Sequence, residues 1–169
     1  MSNTDEVTLK MAEAEDAQAV LQLLRQINRE TAVVMIDHLS SLTVSDEQAA
    51  LHEISVRSDC IVLLAMLDQQ PVGIVTITKI DEAANAGELG VAVLKKHWNQ
   101  GIGTLLVNEA IYWFQNYSSL AHLVLDVFKN NSRARHLYQK LGFIQTSTAS
   151  HEDSRGVQQD VILMEFVNH

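Results

Sequence analysis

Two glycines, Gly101 and Gly103, and the residues around them (Gln100, Ile102, Thr104) are the first candidates for chemistry in this chain. An apolar alternating stretch beginning at Val91 runs into a short polar turn, which opens at Gln100 into an amphipathic helical pattern. Glycines at a strand-to-helix turn let the backbone approach a ligand with no Cβ in the way. The helix that follows offers unpaired N–H groups and the positive end of its dipole. The turn therefore reads as an anion cradle, in the first instance for a pyrophosphate. Two familiar cradles do not fit it. The third glycine of a dinucleotide fingerprint is replaced by Leu106, and Gly103 is followed by Thr104-Leu105 rather than by the Lys-Ser/Thr of a P-loop.

A second stretch, residues 131–143, reads NSRARHLYQKLGF. Together with the glycine turn it closely resembles the Gcn5-related N-acetyltransferase (GNAT) superfamily. That family's coenzyme A loop has the form Arg/Gln-x-x-Gly-x-Gly/Ala. About thirty residues later comes Asn-x-x-Ala-x-x-Leu-Tyr-x-Lys-x-Gly-Phe, which Asn131, Ala134, Leu137, Tyr138, Lys140, Gly142 and Phe143 fill completely. The loop pattern departs at its first position, where Trp98 stands in place of Arg or Gln.

The resemblance implies acetyl-CoA as acyl donor and a primary amine, on a small molecule or a peptide, as acceptor. It implies that amides of Gln100, Gly101, Ile102, Gly103 and Thr104 hold the pyrophosphate. Backbone of Val91 and Val93 would pair with the pantetheine arm, Asn131 would hydrogen-bond that arm, and Tyr138 would protonate the departing thiolate. It also allows a homodimer. A catalytically weak acyl-CoA-binding or regulatory domain of the same fold is the alternative.

Each side chain has a plainer role to set beside these. Tyr138 lies on an apolar stripe with Ala134, Leu137 and Leu141 and fits a core aromatic whose hydroxyl still needs a partner. Asn131 is a favoured helix N-cap. Glu88, on the strand leading to the turn, is either an exposed strand carboxylate or a general base for a substrate ammonium. An amine with a pKa near 10 arrives protonated at neutral pH, so an acceptor for its proton helps. Asp126 and water compete for that role. Trp98 fits the edge of the coenzyme site or packing at the strand's end, and Lys95 and Lys96 a solvated turn. Cys60, the only cysteine, sits in an apolar run and fits a buried inert thiol. The histidines fall at no metal-ligand spacing, so no metal is expected.

These groups need an α/β frame. The pattern predicts strands over 6–11, 60–67, 72–80, 88–93, 122–128, 143–149 and 157–167, and helices over 16–30, 45–57, 102–116 and 131–142. Val7, Leu9 and Met11 are expected to point inward, and Met35, Met66 and Met164 to fill the core. Ser45 and Gln48 suggest a capping box, and residues 68–71 a hairpin turn. The central helix is expected to bury Ile102, Leu105, Leu106, Ala110, Trp113, Phe114 and Tyr117. The order β-α-α-β-β-β-α-β-α-β-β fits an α/β sandwich on a mixed sheet of about seven strands with about four helices. The GNAT resemblance adds a splay between the fourth and fifth strands, where the ligand sits.

Composition bounds the rest. At 169 residues the chain fits one domain, 1–169, with 47% apolar and 20% charged residues, a globular mix. A net charge of −9 argues against a nucleic-acid partner and suits a cationic substrate. The polar, acidic start resembles no signal peptide, and the longest apolar run, 60–67, is far short of the ~20 residues a membrane helix needs. A cytoplasmic protein with no membrane partner is the expectation.

Overall fold

Runs of β-branched and aliphatic residues build the sheet. In a computed structural model that describes residues 6–31, 39–153 and 155–167, β1 (Thr8–Met11), β2 (Ile61–Leu67), β3 (Gln70–Asp81) and β4 (Ala86–Val93) form an antiparallel meander. A parallel pairing joins β4 to β5 (His122–Phe128), and β6 (Phe143–Glu152) and β7 (Gln158–Phe166) complete one seven-stranded sheet in the order β1-β2-β3-β4-β5-β7-β6. Helices α1 (Ala17–Glu30), α2 (Val44–Ser55), α3 (Ile102–Asn116) and α4 (Ser132–Lys140) connect the strands.

Alternation along the strands supplies two cores. Leu63, Val75, Ile77 and Leu89 pack with Leu106, Val107 and Ala110 of α3 and with Tyr138 of α4. The neighbouring positions Val62, Leu64 and Ile74 pack with Val20, Leu23 and Ile27 of α1 and Leu51 of α2. The strand period of two thus delivers each strand to both helical layers.

The feature that matters for function is where β4 and β5 part. They pair at only three positions, Ala86 with His122, Gly87 with Leu123 and Glu88 with Val124. Beyond Glu88, β4 stays on β3 and β5 turns to β7, leaving the β5-facing edge of residues 89–93 without a strand. Gly87 permits the narrow end of this wedge: a Cβ there would lie 2.6 Å from Leu120 Cδ1 and 2.8 Å from Ile77 Cγ2.

The mixed seven-stranded sheet, the four helices and the splay all match the expected architecture. Several local expectations need correction. Met11 ends a short edge strand and is 51% exposed rather than inward. Helix α2 starts at Val44 and not after Ser45. Its cap is Thr43, whose hydroxyl accepts from the Asp46 N–H while the Asp46 carboxylate accepts from the Thr43 N–H, each at 3.0 Å. The turn between β2 and β3 is only Asp68-Gln69, both at positive φ as a type I′ hairpin requires. Pro71 lies within β3, beside a bulge that spares its missing donor. Helix α3 buries Val107 and Ile111, and leaves Leu105 and Tyr117 exposed, because its sequence is apolar around most of its circumference. The apolar segment 33–36, including Met35, lies outside the described residues. Among the described residues, no helix is long and apolar enough to cross a membrane.

Candidate active site

The turn between β4 and α3 is shaped by backbone. Asn99 has φ 63° and Gly101, the N-cap of α3, has φ 80°, a conformation that costs glycine little. No side chain caps α3, and its first intrahelical bond of the turn is Leu105 N–H to Gly101 O at 3.0 Å. The N–H groups of Ile102, Gly103 and Thr104 thus precede the helical ladder, as the first turn of any helix dictates. They lie at a groove of about 620 Å³ lined by Val91, Val93, Trp98, Gly101, Gly103 and Asn131, with Ile102 and Thr104 among its other walls. Gly103 leaves that groove open, since a Cβ there would meet only Leu137 Cδ2, at 3.6 Å across it. Gln100 is exposed and lines neither this groove nor the cavity behind it.

Trp98 is tied down by its indole N–H, which donates to the Val93 carbonyl at 2.8 Å. The Arg133 guanidinium lies over the indole ring, 4.3 Å from its centroid, and donates to Asn99 Oδ1 at 3.3 Å. The stack is a cation–π contact, and it brings a positive charge to the groove wall. Sequence reasoning missed Arg133, which occupies a variable position of the 131–143 pattern and meets Trp98 only through the fold. Glu30, at the end of α1, accepts the Lys95 backbone N–H at 2.9 Å and so pins the turn from the other side. Hydrogen bonds from Gln26 and then from Lys95 hold its carboxyl below the usual range.

A second cavity, of about 740 Å³, opens on the α1/α2 side of the sheet. Glu88, Asp126, His151, Thr76, Thr78 and Tyr138 all line it. Burial, and secondarily repulsion from Asp126, pushes the Glu88 carboxyl up; His151 opposes the shift. Both causes disfavour the carboxylate form, so Glu88 holds a proton more readily than a free glutamate. Tyr138 belongs to the core on the opposite face yet reaches this cavity, where the parted strands leave an opening. Its ring packs on Phe143 at 5.7 Å and is 5% exposed. Burial pushes the phenol pKa far up, which keeps the proton on oxygen. No hydrogen bond reaches its hydroxyl among the described residues, yet no fully enclosed side-chain oxygen or nitrogen lacks a partner. The hydroxyl therefore opens onto the cavity.

The groove and the cavity meet at four residues that line both: Val91 and Ala92 on the free edge of β4, and Asn131 and Ala134 at the start of α4. Asn131 caps α4, its Oδ1 accepting from Ala134 N–H at 3.3 Å. The fold thus brings together every sequence-designated site residue except Gln100. Asp126, the rival to Glu88, faces the same cavity. Cys60 is buried and lines neither groove nor cavity.

Comparison with known proteins agrees with this arrangement. The sequence model of the acetyltransferase (GNAT) family matches residues 21–143. A GNAT-family acetyltransferase from Streptococcus pneumoniae, of known crystal structure, is 33% identical; the match covers 95% of this chain and 98% of that one, with a TM-score of 0.88. The L-amino acid N-acetyltransferase AaaT of Escherichia coli K12 is 25% identical over 140 residues, 82% of this chain and 83% of that protein. A Salmonella typhimurium protein solved with its cofactor acetyl-CoA shares the fold at 18% identity, with a TM-score of 0.82 over 97% of this chain and 96% of that one.

Proposed function

The chain belongs to the acetyltransferase (GNAT) family, and from that premise we propose that it transfers an acetyl group from acetyl-CoA to a primary amine by direct attack in a ternary complex. The observation that carries this reading is the junction of the two cavities at the unpaired edge of β4. One cavity holds backbone donors suited to a pyrophosphate, the other holds carboxylates suited to an ammonium, and they touch where the sheet lacks a strand. A donor lying along that edge and an amine entering from behind would meet there. Such placement alone supplies a large part of the acceleration of a two-substrate reaction.

Acetyl-CoA supplies an activated thioester. The α3 amides from Gly101 to Thr104 hold its diphosphate, and Arg133, stacked on Trp98, adds charge where Arg or Gln is the family's usual residue. The edge of residues 89–93 pairs with the amide-bearing arm as a short extra strand. A free N–H of that edge stabilises the negative charge that grows on the thioester oxygen. Glu88, directly or through water, takes the proton of the ammonium, and its raised proton affinity suits that task. The amine nitrogen attacks the carbonyl carbon, the C–N bond forms, and the C–S bond breaks. Tyr138 delivers its proton to the leaving sulfur and is reprotonated by solvent. No covalent acyl-enzyme is required, since Cys60 is buried and lines neither cavity.

The test is release of free thiol from acetyl-CoA with a broad panel of primary amines, among them the L-amino acids that AaaT takes by its name. Amine-dependent release supports the reading. Tight acetyl-CoA binding with no release across the whole panel would assign the chain instead to a catalytically weak acyl-CoA-binding role.

A further inference from the structure

The acceptor cavity carries three carboxylates, Glu47 of α2, Glu88 of β4 and Asp126 of β5, and among the described residues that line it none is lysine or arginine. None of the three has a hydrogen bond or ion pair among the described residues; His151 is the one basic neighbour, acting on Glu88 through space. Glu47 stands apart from the other two on the helical side. It shares its wall with Val20 and Leu24 of α1 and with Ile54 of its own helix. Burial pushes the Glu47 carboxyl up, the mark of an anion held in apolar surroundings. The sheet floor of the same cavity carries the aliphatic Val62 and Ile74, followed on β3 by Thr76 and by Thr78, which pairs with Glu88. The second pointer to a ligand is independent of the acids: the hydroxyl of Tyr138, a side chain more than nine-tenths buried, opens unpartnered into the same cavity.

We infer that the acceptor is an aliphatic diamine or polyamine without a carboxylate, its reacting amine at Glu88 and Asp126 and a second ammonium at Glu47. The inference rests on acetyl transfer occurring at Glu88 and Tyr138. It follows from matching the lining to the ligand. A largely apolar wall beside separated, unpaired carboxylates suits a methylene chain with cationic ends, because an anion held next to aliphatic side chains gains from a counter-charge and the chain matches the wall. A monoamine leaves Glu47 uncompensated. A free amino acid brings a carboxylate into a cavity with three carboxylates and, among the described residues, no lysine or arginine, where like charges repel.

Three probes of matched carbon chain separate these cases: n-pentylamine, cadaverine and L-lysine, each assayed by thiol release at saturating acetyl-CoA. We expect kcat/KM for cadaverine to exceed that for each of the others by about tenfold or more, the size of one well-placed charge contact. Glu47→Gln should raise KM for cadaverine by about tenfold with kcat within about twofold, and should bring the cadaverine-to-pentylamine ratio towards one. L-lysine or n-pentylamine matching cadaverine overturns the assignment of the acceptor while leaving acetyl transfer intact. An unchanged cadaverine KM in Glu47→Gln overturns the role of that carboxylate. No release with any of the three overturns the inference outright, and the broad amine panel then tells whether acetyl transfer falls with it.

Discussion

Gly103→Val tests the cradle in a way that separates fold from binding. Gly103 is the second residue of α3 and does not need a left-handed backbone. A Cβ alone would meet only Leu137 Cδ2, at 3.6 Å, an ordinary van der Waals contact, consistent with a loop pattern that takes alanine as well as glycine at this position. The branched methyls of valine reach further, into the groove between α3 and Leu137. They crowd an N–H that must approach a phosphate oxygen to about 2.9 Å. Without ligand the change is small, because valine and glycine differ by less than about 1 kcal/mol in helix propensity. In a domain of this size that keeps the apo Tm within roughly 4 °C of wild type. We expect the acetyl-CoA dissociation constant to rise about tenfold, or about 1.4 kcal/mol. At acetyl-CoA a hundredfold above the wild-type constant, binding stabilises wild type by about 2.7 kcal/mol. The variant, now only about tenfold above its own constant, gains about 1.4 kcal/mol. Differential scanning calorimetry with and without acetyl-CoA reads both quantities. A variant with a near wild-type apo Tm and a ligand shift cut to about half supports the reasoning. A full wild-type shift in Gly103→Val would place the diphosphate elsewhere and refute it.

Tyr138→Phe keeps the packing on Phe143 and deletes a hydroxyl that holds no other residue. Turnover should fall by at least about tenfold, towards the 10²–10⁴-fold typical of a lost general acid, while Tm and the acetyl-CoA shift stay near wild type by calorimetry. Glu88→Gln should slow turnover more at neutral pH than near pH 9.5, where more amine arrives deprotonated; a pH-rate profile with an equal loss throughout would leave Glu88 a structural role. The same substitution carries a stability signature. Because the folded-state pKa of Glu88 is raised, its stability contribution is present below the unfolded pKa and lost as pH rises through the folded one. Glu88→Gln should therefore raise Tm relative to wild type at pH about 8 and leave it little changed at pH about 4, as thermal melts across pH would show. Gly87→Ala forces a methyl to within 2.6 Å of Leu120 and 2.8 Å of Ile77, so chemical denaturation should report a loss of about 1–3 kcal/mol.

The parts of this molecule legible in its sequence are those written in local pattern. The glycine turn, the capping Asn131 and the stripe carrying Tyr138 are spaced by helix and strand periods, and the structure places them where that spacing requires. Errors arose where two patterns fit equally well. Thr43-Asp46 and Ser45-Gln48 both read as capping boxes, and only the backbone geometry chooses between them. In α3, apolar residues surround the helix, so its buried face was set by the sheet rather than by its own sequence. Long-range contacts were invisible. The Arg133–Trp98 stack and the meeting of Glu47 and Glu88 in the lining of one cavity join segments far apart in the chain. No periodicity encodes such meetings.

The three-position seam between β4 and β5 also divides the molecule mechanically. On one side lies a meander of β1 to β4, on the other a unit of β5, β7 and β6, and each is far more richly stitched within itself than to the other. A ligand that pairs with residues 89–93 adds stitches where the cloth is thinnest. The amides of that edge, free to exchange with solvent when no ligand lies along them, gain protection when one does, and opening of the seam is suppressed with them. On the proposed pairing of the coenzyme with this edge, substrate binding and local cohesion would be one equilibrium, tightest with the donor aboard and looser once the spent coenzyme leaves.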